Sequence, residues 1–412
     1  MRKCRVCFKP IKKFMSFGKM PIANSFIKKD KFKSQYFYNM EPGFCKNCST
    51  FQLIKVPKAK LMFNEKYAYL ASTSNFMKKH WSDLSKKIIY NLKKNKNPFV
   101  VEIGSNDGIF LENFARKKID HLGIDASKNV CDIAKSKGVN SLNAFFNEKT
   151  ARKIIAKYGK ADVIVCTNTM HHIEDINGVV KGMSELLKEK GTIITEDPSL
   201  KEMLNKNAYD QIYAEHMYIW SLSSINFLFG KYKMEVYDIE NNSLHGGCSR
   251  YFIAKKNVKN ISRKVQVHKS LEKKLKINKL STYINFKNKV NSLKKKLKSK
   301  LIQLKKRNKI IVGYGAPAKS TTILNFCNID YKLIDRIFDN SNTKINKYTP
   351  GKSLIKIENS DNFKKTKSDY CVLFAWNHQK EILEKEKNYL EKNGKWIIPV
   401  PSLKVIKKIK KS

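Results

Sequence analysis

The chain has 412 residues, an apolar fraction of 42% and a formal charge of +48. The length points to two or three domains rather than one. No apolar run approaches the roughly 18 residues a bilayer span needs, and MRKCRVCFKPIKKFM lacks the apolar stretch of a leader, so a soluble cytoplasmic protein is expected. Of the 83 basic residues only eight are Arg, the side chain suited to reading phosphates and bases. The Lys are spread along the chain among abundant Asn and Ile, which reads as compositional bias on solvated faces rather than as a nucleic-acid surface. Residues 1–75 carry short apolar pieces and two Cys pairs, the pattern of a small loop-rich unit that needs a metal staple. Within residues 76–260, strand candidates PFVVEIG, HLGID, ADVIVCTNT and TIITED alternate with helical stretches IFLENFARKK, SKNVCDIAKSK, EKTARKIIAKYG and INGVVKGMSELLKEKG. That alternation predicts an α/β fold with a parallel sheet covered on both faces. The rest of this region, after residue 200, is less regular. Residues 261–308 read as a basic amphipathic helix or linker, because Phe286, Val290, Leu293, Leu297, Leu301 and Leu304 recur at three- and four-residue spacing. Residues 309–412 restart with strand, glycine turn and helix in KIIVGYGAPAKSTTILNF, which predicts a second, smaller α/β domain.

Cys4-x-x-Cys7 and Cys45-x-x-Cys48 are two knuckles whose four thiolates satisfy tetrahedral zinc with no open position, so the metal is expected to be structural. The other five Cys stand singly in apolar or turn contexts and are expected to be inert. The segment Val101-Glu102-Ile103-Gly104-Ser105-Asn106-Asp107-Gly108 follows a strand and opens a helix, where glycines let backbone approach a ligand. Asp125 ends the next strand, 21 residues after Gly104, where a carboxylate can take the two ribose hydroxyls of an adenosine cofactor. The turn lacks the G-x-G-x-x-G of a dinucleotide site. It resembles instead the first motif of class I S-adenosylmethionine methyltransferases, in which Asn168 and the His171–His172 pair fall on the loop that closes over the cofactor. Tyr213-Ala-Glu215-His216-Met-Tyr218 packs an acid, an imidazole and phenols together, and His216 is a candidate general base. His245-Gly246-Gly-Cys-Ser-Arg250 pairs a turn with a cation, suited to a polar or anionic ligand.

Together these motifs resemble the sugar-nucleotide C-methyltransferases, over nearly the whole chain. The four Cys match the family's CxxC pairs, and Tyr67-Ala-Tyr69-Leu-Ala-Ser72 is similar to its Y-x-Y-x-S stretch. VEIGSNDG matches its cofactor motif and YAEHMYIWS its Y-x-E-H-x-x-Y-x-S signature. LHGGCSR is similar to its HGGS-x-R segment, with Cys248 in place of Ser, and GYGAPAKSTTILNF to its G-x-G-A-x-x-K turn, with Ser320 in place of a Gly. The resemblance implies a zinc-binding domain, a Rossmann-like methyltransferase domain and a C-terminal α/β domain that binds the nucleotide sugar. It implies S-adenosylmethionine held by Glu102, Gly104, Asn106, Asp107, Gly108, Asp125, Asn168 and His172. It implies His216 as the base, Glu215 holding the imidazole or a sugar hydroxyl, and Tyr213 and Tyr69 bonding toward the keto oxygen and ring. Tyr67, Ser72, His245, Gly246 and Arg250 are the implied substrate contacts, with Gly313, Gly315 and Lys319 at a turn suited to a diphosphate. The expected reaction is methyl transfer to a ring carbon, C-3 before C-5, of a nucleotide-linked keto-deoxysugar, dTDP-linked first, through a base-generated enolate. Two other readings stand beside it: a zinc-containing RNA methyltransferase, which the charge invites, and a non-catalytic binding protein on a methyltransferase fold.

Overall fold

The computed structural model describes residues 2–62, 70–73 and 75–407. At the N-terminus, each Cys knuckle is followed by a residue in the left-handed region, Phe8 (φ 60°) and Ser49 (φ 56°), which turns the chain back on itself. Short strands lie between and after the knuckles: β1 (Lys12–Lys13), β2 (Lys19–Pro21), β3 (Phe37–Asn39), β4 (Pro42–Phe44) and β5 (Phe51–Leu53). β2 and β3 form an antiparallel ribbon, while β1, β4 and β5 form a small antiparallel sheet.

The central region opens with α1 (Asn75–Leu92), then alternates β6 (Phe99–Ile103), α2 (Glu112–Ala115), β7 (Asp120–Asp125), α3 (Lys128–Ser136), β8 (Ser141–Asn143), α4 (Glu148–Tyr158), β9 (Ala161–Thr167), α5 (Ile176–Leu186) and β10 (Leu187–Pro198). After α6 (Leu200–Lys206), β11 (Tyr218–Ile219) and α7 (Leu222–Gly230), the hairpin β12 (Met234–Asn242) and β13 (Cys248–Lys255) returns to the sheet. The seven strands run β12-β13-β10-β9-β6-β7-β8, parallel from β10 to β8, with β13 antiparallel to β10 and β12. β6 and β9 are buried throughout, as largely apolar central strands covered on both faces must be. The α/β class is the one expected, but the segment after residue 200 is more regular than its sequence suggests, since β12–β13 completes the sheet. The expected IFLENFARKK helix shrinks to α2, because the Asn113 amide bonds the Ile109 and Phe110 carbonyls and Lys118 turns left-handed (φ 54°).

The basic stretch is two helices, α8 (Arg263–Leu275) and α9 (Leu280–Lys306), rather than one. Lys276 breaks it at φ 53°, and the Thr282 hydroxyl takes up the Leu275 and Lys276 carbonyls. The predicted apolar stripe of α9 is buried, and Tyr283 on it stacks on Phe44 of β4 at 4.4 Å between ring centroids. The last sheet contains β14 (Ile311–Tyr314), β15 (Arg336–Asp339), β16 (Lys356–Asn359), β17 (Tyr370–Leu373), β18 (Lys395–Ile398) and β19 (Lys404–Ile406), in the order β16-β15-β14-β17-β18-β19. It is parallel except for β19, and α10 (Ala318–Phe326) follows its first strand.

The three parts are joined through one continuous apolar core. The joint is made by backbone hydrogen bonds as well. β11, from the central region, is the fourth strand of the N-terminal sheet, with Tyr218 opposite Gln52 and Ile219 opposite Phe51. This pairing starts two residues after His216 and therefore fixes where that side chain sits.

Candidate active site

The turn after β6 sets one wall of a cavity of about 350 Å³. Gly104 takes φ 76° and its N–H donates to the Ile124 carbonyl at 2.7 Å. A Cβ at this position would lie 2.2 Å from the Thr169 hydroxyl, so only glycine fits without displacement. Asp125, at the end of β7, is held by two backbone amides, Asn106 N–H at 3.0 Å and Ser127 N–H at 2.9 Å. Glu102, Gly104, Asn106, Asp125, Asn168 and His172 all line the cavity, with Met77, Trp81, Phe145 and Phe146 as apolar walls. Glu102 has one buried carboxylate oxygen without a partner among the described residues. Burial, with Asp125 and Asp107 adding, pushes its carboxyl well above the usual range. Asn168 (φ 52°) leaves both amide atoms unpartnered among the described residues. These orphaned groups suit S-adenosylmethionine, which brings an ammonium, a carboxylate and a ribose diol. Two expected cofactor residues are elsewhere. Asp107 turns away and accepts from Ser72, backbone N–H at 3.2 Å and hydroxyl, with the Lys137 ammonium at 3.3 Å. Gly108 (φ 77°) lets the turn pack on α3, since a Cβ would lie 3.0 Å from Ala134. Ser72, expected at the substrate, thus clamps the cofactor turn, helped by Ala71 N–H on the Asn106 side chain at 2.9 Å. Tyr67 and Tyr69 lie outside the described residues.

Behind the cavity stand three imidazoles. Their ring centroids are 3.9 Å apart for His171 and His172 and 4.3 Å for His171 and His216. His172 donates Nδ1–H to the Glu215 carbonyl at 2.6 Å, and His216 donates Nδ1–H to the Gln211 carbonyl at 2.8 Å. Each therefore keeps a lone pair on Nε2. The Tyr213 hydroxyl donates to that Nε2 of His216. His171 Nδ1 is hydrogen-bonded to Asp197, and burial lowers the imidazole to about 3 and raises the carboxyl. His216 is held well below 6.5 by burial and by its histidine neighbours. The three rings are close enough to hold a cation, but the Tyr213 phenol already faces the His216 lone pair. Sequence reasoning gave Glu215 two roles, and the structure removes one: Gln211, not Glu215, holds the imidazole. Glu215 instead accepts from the Asn24 amide at 3.0 Å, and its second oxygen is buried without a partner among the described residues.

The remaining expected substrate residues serve as joints. Lys319 does not reach over its glycine turn. Its ammonium donates to the His245 carbonyl at 2.8 Å and to Asn377 at 3.3 Å, and lies 5.3 Å from the Trp376 ring centroid. Gly313 and Gly315 allow close packing against Phe374 and Ala375, and Gly246 against Trp376. Arg250 is 6% exposed and committed internally, at 2.7 Å to Glu196 and 3.1 Å to Glu240. Its burial explains why it offers no free fork to an anion.

The knuckle cysteines bring Cys4 and Cys48 sulfurs to 3.6 Å and Cys7 and Cys45 to 3.4 Å. Tetrahedral zinc with Zn–S bonds of about 2.3 Å needs sulfurs roughly 3.8 Å apart. Gln52 Nε2–H donates to the Cys4 sulfur at 2.9 Å and the Thr50 hydroxyl lies 3.1 Å from that of Cys48, the outer partners a thiolate site requires. The shell is closed, so the site is structural.

Three family models match the chain in succession: a zinc binding domain over residues 4–63, a methyltransferase domain over 75–238, and a C-methyltransferase C-terminal domain over 243–401. The chain is 28% identical over 407 residues to the C-methyltransferase NovU of Streptomyces niveus, covering 98% of this chain and 96% of that protein. A shorter match, 28% over 96 residues, is to the ubiquinone biosynthesis O-methyltransferase of Escherichia coli O127:H6, covering 23% of this chain and 40% of that protein. Among solved structures, an S-adenosylmethionine-dependent methyltransferase from Clostridium acetobutylicum aligns with 43% of this chain and 92% of its own at 15% identity, TM-score 0.34. No described helix is long and apolar enough to cross a membrane. The chain is an S-adenosylmethionine-dependent methyltransferase, in which matches to a zinc-binding, a methyltransferase and a C-methyltransferase C-terminal domain follow one another and the similarity to a C-methyltransferase runs nearly end to end.

Proposed function

We propose that the acceptor is a nucleotide-linked keto-deoxysugar, dTDP-linked first, methylated at a ring carbon beside its ketone, C-3 before C-5. The observation that carries this reading is the Tyr213–His216 pair behind the cofactor cavity, with its Nδ1–H tautomer set by Gln211. Carbon is not a nucleophile until a proton leaves it, so a C-methyltransferase needs a base and a donor for the enolate oxygen. S-adenosylmethionine supplies the electrophilic methyl when bound, held by Glu102, Gly104, Asn106, Asp125 and Asn168. His216 takes the proton at Nε2. A keto oxygen that accepts the Tyr213 hydroxyl releases that lone pair and gains the hydrogen bond its enolate needs. The Glu215 oxygen that has no partner among the described residues accepts from a sugar hydroxyl. The C-terminal domain, clasped to the central one by Lys319, takes the nucleotide, and the reaction is cytoplasmic. The similarity to a protein named as a C-methyltransferase supports the reaction type.

The test is mass spectrometry of dTDP-4-keto-6-deoxyglucose-type sugars incubated with the protein and cofactor in deuterated water. One added methyl, with deuterium uptake beside the ketone that does not need the cofactor, is the expected result. His216→Asn should lose both signals at unchanged cofactor affinity, and retained turnover would sink the base assignment. Cofactor binding with neither signal across a panel of keto sugars rejects the substrate class.

A further inference from the structure

Glu215 is buried, and beside its own backbone amide the donors that hold its carboxylate come from the N-terminal unit. Asn24 Nδ2–H donates to Oε1 at 3.0 Å across 191 residues of sequence, and the backbone amides of Asn24 and Ala23 also act on the carboxylate. The turn that carries them is itself clamped. Ser25 N–H closes on the Ile22 carbonyl at 3.2 Å, and the Thr321 hydroxyl of α10 holds the Ala23 carbonyl at 2.8 Å. Ala23 is 1% exposed, so the turn cannot swing away from its seat. From the other side, Leu53 N–H takes the Met217 carbonyl at 2.8 Å and β5 pairs β11. The catalytic segment 213–217 is therefore gripped by the zinc-bearing unit on both sides.

We propose that Asn24 is a positioning residue for methyl transfer: it occupies Glu215 Oε1 and so presents Oε2, 191 residues away in sequence, to a hydrogen-bond donor of the acceptor. The zinc unit is thereby part of the catalytic centre, and the metal's task is to keep this turn and β5 in register with it. The inference rests on the acceptor reading above for the identity of the donor, but not for the positioning. Asn24 also bears on the charge of Glu215. Burial raises the carboxyl, and its own backbone amide together with the Asn24 and Ala23 donors lowers it; the titratable groups beside this segment are Tyr38 of β3, His172 and His216.

The experiment uses the full-length, zinc-loaded protein labelled with carbon-13 at the Glu carboxyl, the Glu215 signal being identified by its loss in Glu215→Gln. Asn24→Ala should raise the titration midpoint of Glu215 by about one pH unit or more, since a donor to the ionised form is gone. Asn24→Asp should raise it further by adding a like charge, and Thr321→Val should raise it less. Zinc stoichiometry and S-adenosylmethionine affinity should match wild type in all three. An unchanged midpoint in Asn24→Ala with zinc retained overturns the proposal. With a keto-sugar acceptor, Asn24→Ala should lower kcat about tenfold with KM within about threefold, and Asn24→Gln should restore part of it. Equal losses in both variants, or a change confined to KM, also overturn it. A wild-type enzyme that methylates no keto sugar refutes the acceptor reading alone, and the carboxyl titration still decides the role of Asn24.

Discussion

Removing the guanidinium of Arg250 separates two accounts of that residue. A family resemblance places it at the substrate, whereas the structure places it 2.7 Å from Glu196, which is 0% exposed. Arg250→Met would leave Glu196 with the His80 ring nitrogen at 2.7 Å and the Asn242 amide at 3.0 Å. The same His80 nitrogen lies 3.1 Å from Arg250, but a single N–H can serve only the carboxylate, so the imidazole is a donor to Glu196 and merely packs on the arginine. Breaking a buried ion pair on one side costs about 3–5 kcal/mol. The two remaining donors favour the lower end, about 3 kcal/mol. For a cooperative unit of 150–250 residues, each kcal/mol moves Tm by roughly 2–4 °C, so the expected drop is about 6–12 °C. Differential scanning calorimetry of the zinc-loaded protein measures it. Arg250→Met combined with Glu196→Gln should recover much of the loss, because removing both charges spares the stranded one. A Tm within about 2 °C of wild type, with a raised acceptor KM, would refute the internal role.

Three further outcomes are expected. Gly104→Ala must displace Thr169, 2.2 Å from the new Cβ, and hold a non-glycine residue at φ 76°. S-adenosylmethionine affinity by calorimetry should fall at least about tenfold and recover partly in Gly104→Ala with Thr169→Ala. Cys45→Ser removes one of four thiolates, so zinc content by metal analysis should drop and methyl transfer with it, while cofactor affinity largely persists, since the cavity is lined mainly by the central region, with Ala59 and Ala71 from the N-terminal unit. Burial and the neighbouring His171, His172 and His245 hold His216 below 6.5. Its lone pair therefore survives as pH falls through 6.5, and the acid limb of kcat attributable to it should lie below that value. A limb centred at 6.5 that vanishes in His216→Asn would contradict this.

What the sequence made legible is local. The Cys knuckles, the turn at Gly104 with Asp125, and the strands that alternate with helices each depend on neighbours within about twenty residues. The apolar stripe of α9 was equally readable, but the break at Lys276 that separates α8 from it was not, because no residue type there marks a single left-handed turn. The misread site residues all pair at long range: Ser72 with Asp107, Arg250 with Glu196, Lys319 with the His245 carbonyl, Glu215 with Asn24. A charged or polar residue in a motif shows what it can bond to, not which partner the fold delivers. Asn24 gave no signal at all, and Asp197 looked like the end of a strand.

The shared sheet also bears on biosynthesis. β5 ends at Leu53, and the strand that covers its edge begins only at Tyr218. At roughly 5–20 residues per second, a ribosome needs on the order of ten to thirty seconds to make the interval. During that time a nascent chain with its zinc already bound presents Phe51 and Leu53 on an open edge, the kind of surface that pairs with a stranger. The same edge would be bare in any excised zinc module, which predicts that residues 2–62 expressed alone associate with one another and that a peptide spanning Met217–Trp220 suppresses it.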